Sequence, residues 1–308
     1  MKNHLSTKVP IIMYHRVLRK KDISLCSSYI EAGTVLSLED FVIQIKLLKK
    51  YYSIISLNQF VDYINRQVLL PNNSCILSFD DGYIDHYKNV FPVLKKMEMP
   101  ATFFIIGDCI AGTKKVRWLD KYYYILDNTP LKKSGAKLNE RLSHFYRIIT
   151  DKNQPFEINL LKKFIRNSPK KGKIINELAT TLEVKLNPDI LNKKFYLSRG
   201  HIKEMMANRM EFGAHSMSHP DLGLLSFSEA KKEILDSGKI IREMTNKNVT
   251  PFAYPFGGNS TYNKRIVEFL KSNQFSCACT SIPGLNDQRT PLFELKRIDA
   301  INLQKTLF

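Results

Sequence analysis

The sequence predicts an α/β fold assembled from parallel strand–helix units. Three observations lead there: short apolar runs that stop at glycine or polar residues, amphipathic stretches of helix length alternating with them, and a lysine-rich interruption over residues 111–200 where the alternation is lost.

Ile11-Ile12-Met13-Tyr14 is the first strand-like run. Ser37 then opens a helix through Lys50, because Leu38, Phe41, Ile45 and Leu48 recur at helical spacing and Asp40 puts an acid in the first turn. Tyr52-Ser53-Ile54-Ile55 reads as a strand. Cys75-Ile76-Leu77-Ser78-Phe79 is an apolar run halted by Asp80-Asp81-Gly82, the pattern of a buried parallel strand delivering its last residues to an open face. In α/β folds that face is where sites are built. A helix around 87–97 and a strand over Ala101–Ile106 follow. Beyond the interruption, Glu211-Phe212-Gly213-Ala214 is a short strand, Ser226 with Glu229 three residues on caps a helix, 263–272 is helical, and Phe275–Cys279 is a late strand.

Residues 111–200 carry twenty Lys+Arg against eight Asp+Glu, so they contribute +12 of the chain's net +18. Trp118, Tyr122, Tyr123, Tyr124 and Leu126 predict one helix that packs on the rest, and Leu160, Leu161, Phe164 and Ile165 another. The chain therefore divides into 1–110, a mainly helical basic insertion at 111–200, and 201–308. Such a surface suits anionic lipid headgroups or a phosphorylated glycan carrier, and equally a solubilising face.

With 308 residues, 44% of them apolar and 11% aromatic, the chain can bury a sizeable core. No stretch approaches the length of a membrane span, and residues 1–8 contain no apolar leader. Five cysteines, an odd number, agree with a reducing compartment. A cytoplasmic protein, peripheral at a membrane or not, is the expectation, with secretion left open. The net charge alone would give salt-sensitive binding to DNA, but no nucleic-acid motif accompanies it.

Two clusters carry the chemistry. One carboxylate of Asp80-Asp81 together with His215 and His219 makes a three-ligand set for a borderline divalent metal, and the other carboxylate is left to act as a base. Extended backbone would point the two aspartates in opposite directions, and a spacing of four lets both imidazoles face one point on a helical turn or a curled loop. Taken singly, the first cluster reads as a surface turn, and for the second the competing reading is coincidence on a solvated loop. Taken together, donor types and strand-end contexts match a metal site.

These clusters, with Phe252-Ala253-Tyr254-Pro255-Phe256-Gly257, Pro10–Val17 and Pro100–Gly107, resemble the polysaccharide deacetylase family, carbohydrate esterase family four, in the family's order. The resemblance implies a distorted (β/α)7-type barrel that hydrolyses an N-acetyl group from an amino sugar with one divalent metal: zinc, or cobalt, nickel or iron. It places Asp81, His215 and His219 at the metal positions, Asp80 at the general-base position, and an oxyanion donor at the Phe256 amide, with Tyr254 and Pro255 in the same substrate-binding motif. Ala253 stands where many members carry an arginine, which makes Arg297 the candidate clamp for the base. No histidine follows His219, so His15 becomes the candidate general acid, as in circularly permuted poly-N-acetylglucosamine deacetylases. Tyr14 is a sugar-stacking ring or a core residue. The expected substrate is an N-acetylated polysaccharide, oligosaccharide or lipid-linked precursor. The alternative is a catalytically degenerate glycan- or lipid-carrier-binding module on the same barrel.

Overall fold

A computed structural model of the protein describes residues 8–23, 26–31, 33–112, 115–151 and 155–303. The segment 1–7, read above as lacking an apolar leader, lies outside them.

Ten strands are present among the described residues: β1 (Ile11–Tyr14), β2 (Arg16–Leu18), β3 (Val35–Ser37), β4 (Ser53–Ile55), β5 (Ser74–Phe79), β6 (Ala101–Ile105), β7 (Met210–Ala214), β8 (Thr250–Ala253), β9 (Phe275–Cys279) and β10 (Ile298–Asp299). β2 and β3 form a small separate parallel pair. The main sheet runs β10-β1-β5-β6-β7-β8-β9, all parallel, with β4 alongside the start of β5. The sheet curls until its ends meet on one stretch of chain. Leu295 bridges to Cys279 at the end of β9, and Ile298 and Asp299, three and four residues on, pair with Ile12 and Met13 of β1. This is a curled parallel α/β barrel.

Alternation along the strands separates two apolar layers. Cys75, Leu77 and Phe79 of β5 face the surrounding helices, where Phe41, Ile45 and Leu48 of the helix Leu38–Tyr51 meet them. Tyr14, Phe79, Phe103 and Phe212, paired in register on β1, β5, β6 and β7, form one aromatic row with ring centroids 4.8–5.6 Å apart. Tyr14 is thus a core residue. Ile76 lies on the opposite face with Ile11, Phe104, Cys277 and Cys279, packed with the helix Leu57–Ile64. Cys277 and Cys279 share that inner layer as free thiols.

Two local features differ from the sequence-based expectation. The helix expected at 87–97 is split into a π-helical turn, His86–Val90, and the α-helix Phe91–Lys96. Pro92 has no N–H to donate back along the helix, and the Phe91 N–H reaches five residues back to the His86 carbonyl. The helix 57–64 was passed over although Leu57, Phe60, Val61 and Ile64 recur at helical spacing behind the Ser56 cap, and strands β2, β3, β8 and β10 are short and take their pairing from distant chain. Between β6 and β7 lie helices at Trp118–Asn128, Gly135–Thr150, Ile158–Asn167, Lys171–Thr181, Pro188–Phe195 and Arg199–Met206. Those from 118 to 195 close on a second core around Tyr122, Ile125, Phe145, Leu161 and Leu178, which Tyr29, Tyr83 and Ile106 join. Among the described residues no helix is long and apolar enough to cross a membrane.

Candidate active site

The C-terminal ends of the strands converge on a cavity of about 280 Å³ lined by His15, Asp80, Asp81, His215, His219, Phe256 and Arg297, among others. Three tight turns build it. At the end of β5 the Asp80 N–H still donates to the Tyr14 carbonyl (2.9 Å), so Asp80 continues the ladder. Asp81 and Gly82 then turn left-handed, with φ of 75° and 70°. Gly82 suits this left-handed turn, and a Cβ there would also lie 2.9 Å from Ile105 Cδ1, which would have to shift. The divergence of the two aspartates therefore comes from this turn, and not from the strand alternation that the sequence suggested.

After β7, the His215 N–H donates to the Ile105 carbonyl (3.0 Å), Ser216 and His219 adopt φ of 57° and 58°, and the Ser216 hydroxyl accepts from the His219 N–H (3.0 Å). The curled loop, and not a helical turn, brings the imidazoles together. After β8, Phe256 and Gly257 are left-handed (61° and 64°), and Ser281 ties the turn by donating its hydroxyl to the Phe256 carbonyl (2.6 Å) and its N–H to the Gly257 carbonyl (3.0 Å). So many left-handed non-glycine residues around one cavity are held by surrounding structure, a common mark of a functional site.

Asp80 and Arg297 form a two-pronged ion pair, Nη1–Oδ1 and Nη2–Oδ2 both at 2.7 Å, with both side chains almost wholly buried. The Arg297 Nε–H is spent on the Thr280 carbonyl (2.6 Å). Burial pushes the Asp80 carboxyl up, but Arg297, aided by His215, more than offsets it and holds the group below its ordinary 3.8. Arg297, far away in sequence, is thus brought against Asp80.

Asp81 Oδ1 lies 3.6 Å from His215 Nε2 and 3.4 Å from His219 Nε2, and the three donor atoms all lie within 4.8 Å of one another. The His215 Nδ1–H donates to the Ala253 carbonyl (2.8 Å), which leaves the Nε2 lone pair facing the cavity. Asp81 Oδ1 is buried without a hydrogen-bond partner among the described residues. Ligands about 2.0–2.1 Å from a tetrahedral zinc stand roughly 3.3 Å apart, so the two Asp–His separations fit a divalent ion and the orphaned oxygen has a use. Burial, opposed by Asp80 and Asp81, leaves His215 below its ordinary 6.5. Burial together with the charge of Arg117 takes His219 well below it.

His15 follows β1, half-buried on the cavity wall, with its carbonyl accepting from the buried His86 Nε2–H at 2.6 Å. Phe256 also lines the cavity, its ring edge-on to His219 with centroids 4.8 Å apart. Tyr254 lines the cavity, is fully buried, and donates its hydroxyl to the Phe293 carbonyl (2.9 Å). Pro255 is buried and shapes the turn.

A family model for polysaccharide deacetylase matches residues 69–278. The chain belongs to the polysaccharide deacetylase family. Among curated proteins of this kind, the poly-beta-1,6-N-acetyl-D-glucosamine N-deacetylase of Staphylococcus epidermidis is 38% identical over 107 residues, covering 32% of this chain and 36% of that protein. The polysaccharide deacetylase homologue YxkH of Bacillus subtilis is 20% identical over 229 residues, covering 74% of this chain and 52% of its own length. The chain thus matches about half the length, or less, of these relatives. Among solved structures, the Streptococcus pyogenes deacetylase PplD in complex with acetate superposes with a TM-score of 0.60 at 19% identity, over 98% of this chain and 99% of that one, a likeness of fold.

In this member of the family the cavity contains residues that sequence reasoning did not assign to it. Arg117, Trp118, Leu119, Tyr123, Lys162 and Arg166, all from the segment between β6 and β7, form one wall of the cavity. Arg117 Nη1 is 3.0 Å from Asp81 Oδ2. Arg166 lies 4.3 Å over the Phe256 ring and pairs with Asp221 Oδ2 at 2.5 Å. The one local signal was the Arg117–Asp120 spacing of three, which is as common on any solvated helix.

Proposed function

We propose that the protein hydrolyses an N-acetyl group from an amino sugar of a glycan or glycan precursor, with a divalent metal held by Asp81, His215 and His219. The observation that carries this reading is the convergence, in one cavity, of an orphaned carboxylate oxygen between two imidazoles with a second carboxylate clamped by an arginine. A divalent metal bound there would acidify water and polarise the acetyl carbonyl, and the two-imidazole, one-carboxylate set suits zinc while also accepting cobalt, nickel or iron.

The chain's own groups divide the remaining work. Asp80 stays ionised at neutral pH and keeps a lone pair on each oxygen beyond the one used by Arg297, so it can take a proton from water as that water attacks the acetyl carbon. The N–H of Phe256, a cavity-lining residue on the left-handed turn after β8, would be the donor for the oxygen on which charge develops. As the carbon–nitrogen bond breaks, His15 gives the departing nitrogen its proton, and acetate and a free amine result. The lysine-rich inserted segment supports a carrier phosphate or anionic membrane surface as partner, at the inner face of a membrane if the protein is cytoplasmic.

The test is acetate release from an N-acetylglucosamine oligomer and from a polyprenyl-phosphate-linked N-acetylated sugar, with zinc- or cobalt-loaded protein. Asp80→Asn should cut turnover by about 10²- to 10⁴-fold while metal stays bound. Faster release from the lipid-linked sugar would assign the basic segment to the carrier. No release from either substrate by metal-loaded protein would sink the hydrolytic reading in favour of a binding module.

A further inference from the structure

Asp81 divides its two oxygens between two kinds of partner. Oδ1 faces the imidazoles with no hydrogen bond, while Oδ2 is ion-paired with Arg117 Nη1 at 3.0 Å. Arg117 cannot readily withdraw. Its Nε–H and Nη2–H donate to the two oxygens of Asp120, at 3.0 and 3.2 Å, and Nη2 also contacts the Tyr83 hydroxyl. Asp120 is itself fully buried and accepts from the hydroxyls of Tyr29 (2.6 Å), Tyr83 (2.8 Å) and Tyr196. Buried carboxylates supplied this fully are rigid anchors, so the guanidinium is fixed at three of its five N–H groups before it meets Asp81.

We propose that Arg117 is a positioning residue that reserves one oxygen of Asp81, so that this carboxylate binds the metal through Oδ1 alone and a coordination position stays open for the acetyl group. The inference rests on the metal site proposed above. With two imidazoles and one oxygen from the protein, water and the acetyl oxygen both have room on a five-coordinate ion. A chelating carboxylate would take one of those places. Arg117 and Asp120 carry opposite charges side by side, so the pair adds no net charge to the site. Its effect is therefore on orientation, and the sign of the expected result follows. Removing the guanidinium alone frees Oδ2 to chelate and leaves Asp120 anionic nearby, which favours a cation. Metal affinity should hold or tighten while turnover falls, the reverse of what loss of an ordinary ligand-supporting contact produces.

The experiment compares wild-type and Arg117→Met protein loaded with cobalt, reading affinity by titration, the visible absorption of the bound ion, and kcat separately from KM. The expected result is cobalt binding at least as tight in Arg117→Met, a weaker absorption from the added ligand, and kcat down about 10- to 100-fold. Unchanged absorption and kcat in folded Arg117→Met protein would overturn the proposal. So would weakened cobalt binding. Should the variant not fold, a crystal structure of cobalt-loaded wild type decides the matter: Asp81 bound through Oδ1 with Arg117 on Oδ2 upholds it, and a chelating Asp81 overturns it. Absence of cobalt binding by wild type would instead remove the metal site itself, a distinguishable failure.

Discussion

Asp80 and Asp81 are adjacent, each is 2% exposed, and each meets a buried arginine, yet the two arginines come from regions of opposite kind. Arg297 belongs to the barrel, on the stretch that joins β9 to β10, and it occupies both oxygens of Asp80. Arg117 belongs to the helical segment between β6 and β7, is shared with Asp120, and occupies a single oxygen of Asp81. A carboxylate gripped at both oxygens has a fixed plane and a low proton affinity. One gripped at a single oxygen has the other left for a cation. The same residue type, twice in succession, is given two electrostatic settings by the number of donors facing it, and the segment between β6 and β7 is a wall of the cavity and not an appendage.

The largest effect expected from breaking this contrast is at the barrel arginine. Arg297→Met would leave Asp80 as an unpaired buried charge, at a cost of about 3–5 kcal/mol in unfolding free energy. Burial would then push the Asp80 carboxyl up with its largest opposing charge gone. The acid limb of kcat/KM should therefore move to higher pH, whereas Arg117→Met should leave that limb in place. A pH–rate profile and denaturant melts of both variants check this, and equal shifts in the two would erase the distinction drawn here.

Protonation sharpens the comparison next. Asp80 and Asp81 are held below 3.8, so the stability they contribute is present above that value and is lost only as pH falls through their folded-state values. His86, His215 and His219 are also depressed, from 6.5, with burial as the leading cause. Below about pH 6.5 the unfolded chain takes up protons that the folded metal-free chain refuses. Stability should fall by up to about 1.4 kcal/mol per pH unit for each such histidine until the folded-state values are reached. Urea melts of chelator-treated protein at pH 7.5 and 5.5 should show a loss that His86→Gln reduces. A flat profile would mean that the imidazoles are not buried in neutral form.

The smallest effect concerns the rim of the inserted wall. Arg166→Ala removes the guanidinium over Phe256 and its tie to Asp221, worth about 0.5–1 kcal/mol at a partly exposed site. That corresponds to roughly a two- to fivefold change in kcat/KM. A loss as large as that of Arg297→Met would show that the rim, and not the barrel, dominates.

Much of the barrel was legible because its strands are continuous apolar runs and its helices carry their caps in the sequence. Ser37, Ser226 and Asn263 each accept a backbone N–H at the helix start they mark. Asp80, Asp81, His215 and His219 were legible for a related reason: each pair lies within a few residues just past a strand end, and strand ends of a parallel sheet share one face. Arg297 was reached only by asking what replaced an absent residue. Arg117 and Asp120 were out of reach, since a basic residue and an acid three apart are ordinary in a segment with twenty Lys+Arg.

By itself, then, the sequence determined the parallel α/β alternation, the four polar residues at the ends of β5 and β7, and the place where the rhythm breaks. All of these rest on local periodicity and on backbone preferences within a few residues. Only the tertiary structure decided which arginine meets which aspartate, across 217 residues for Arg297 and Asp80. It also decided that Tyr29, Tyr83 and Tyr196 converge on Asp120, and that Tyr14 is core. Those outcomes depend on closure of the sheet and on docking of the inserted helices. Burial there raises the cost of an unpaired charge enough to select each partner, and no local pattern in the chain encodes that cost.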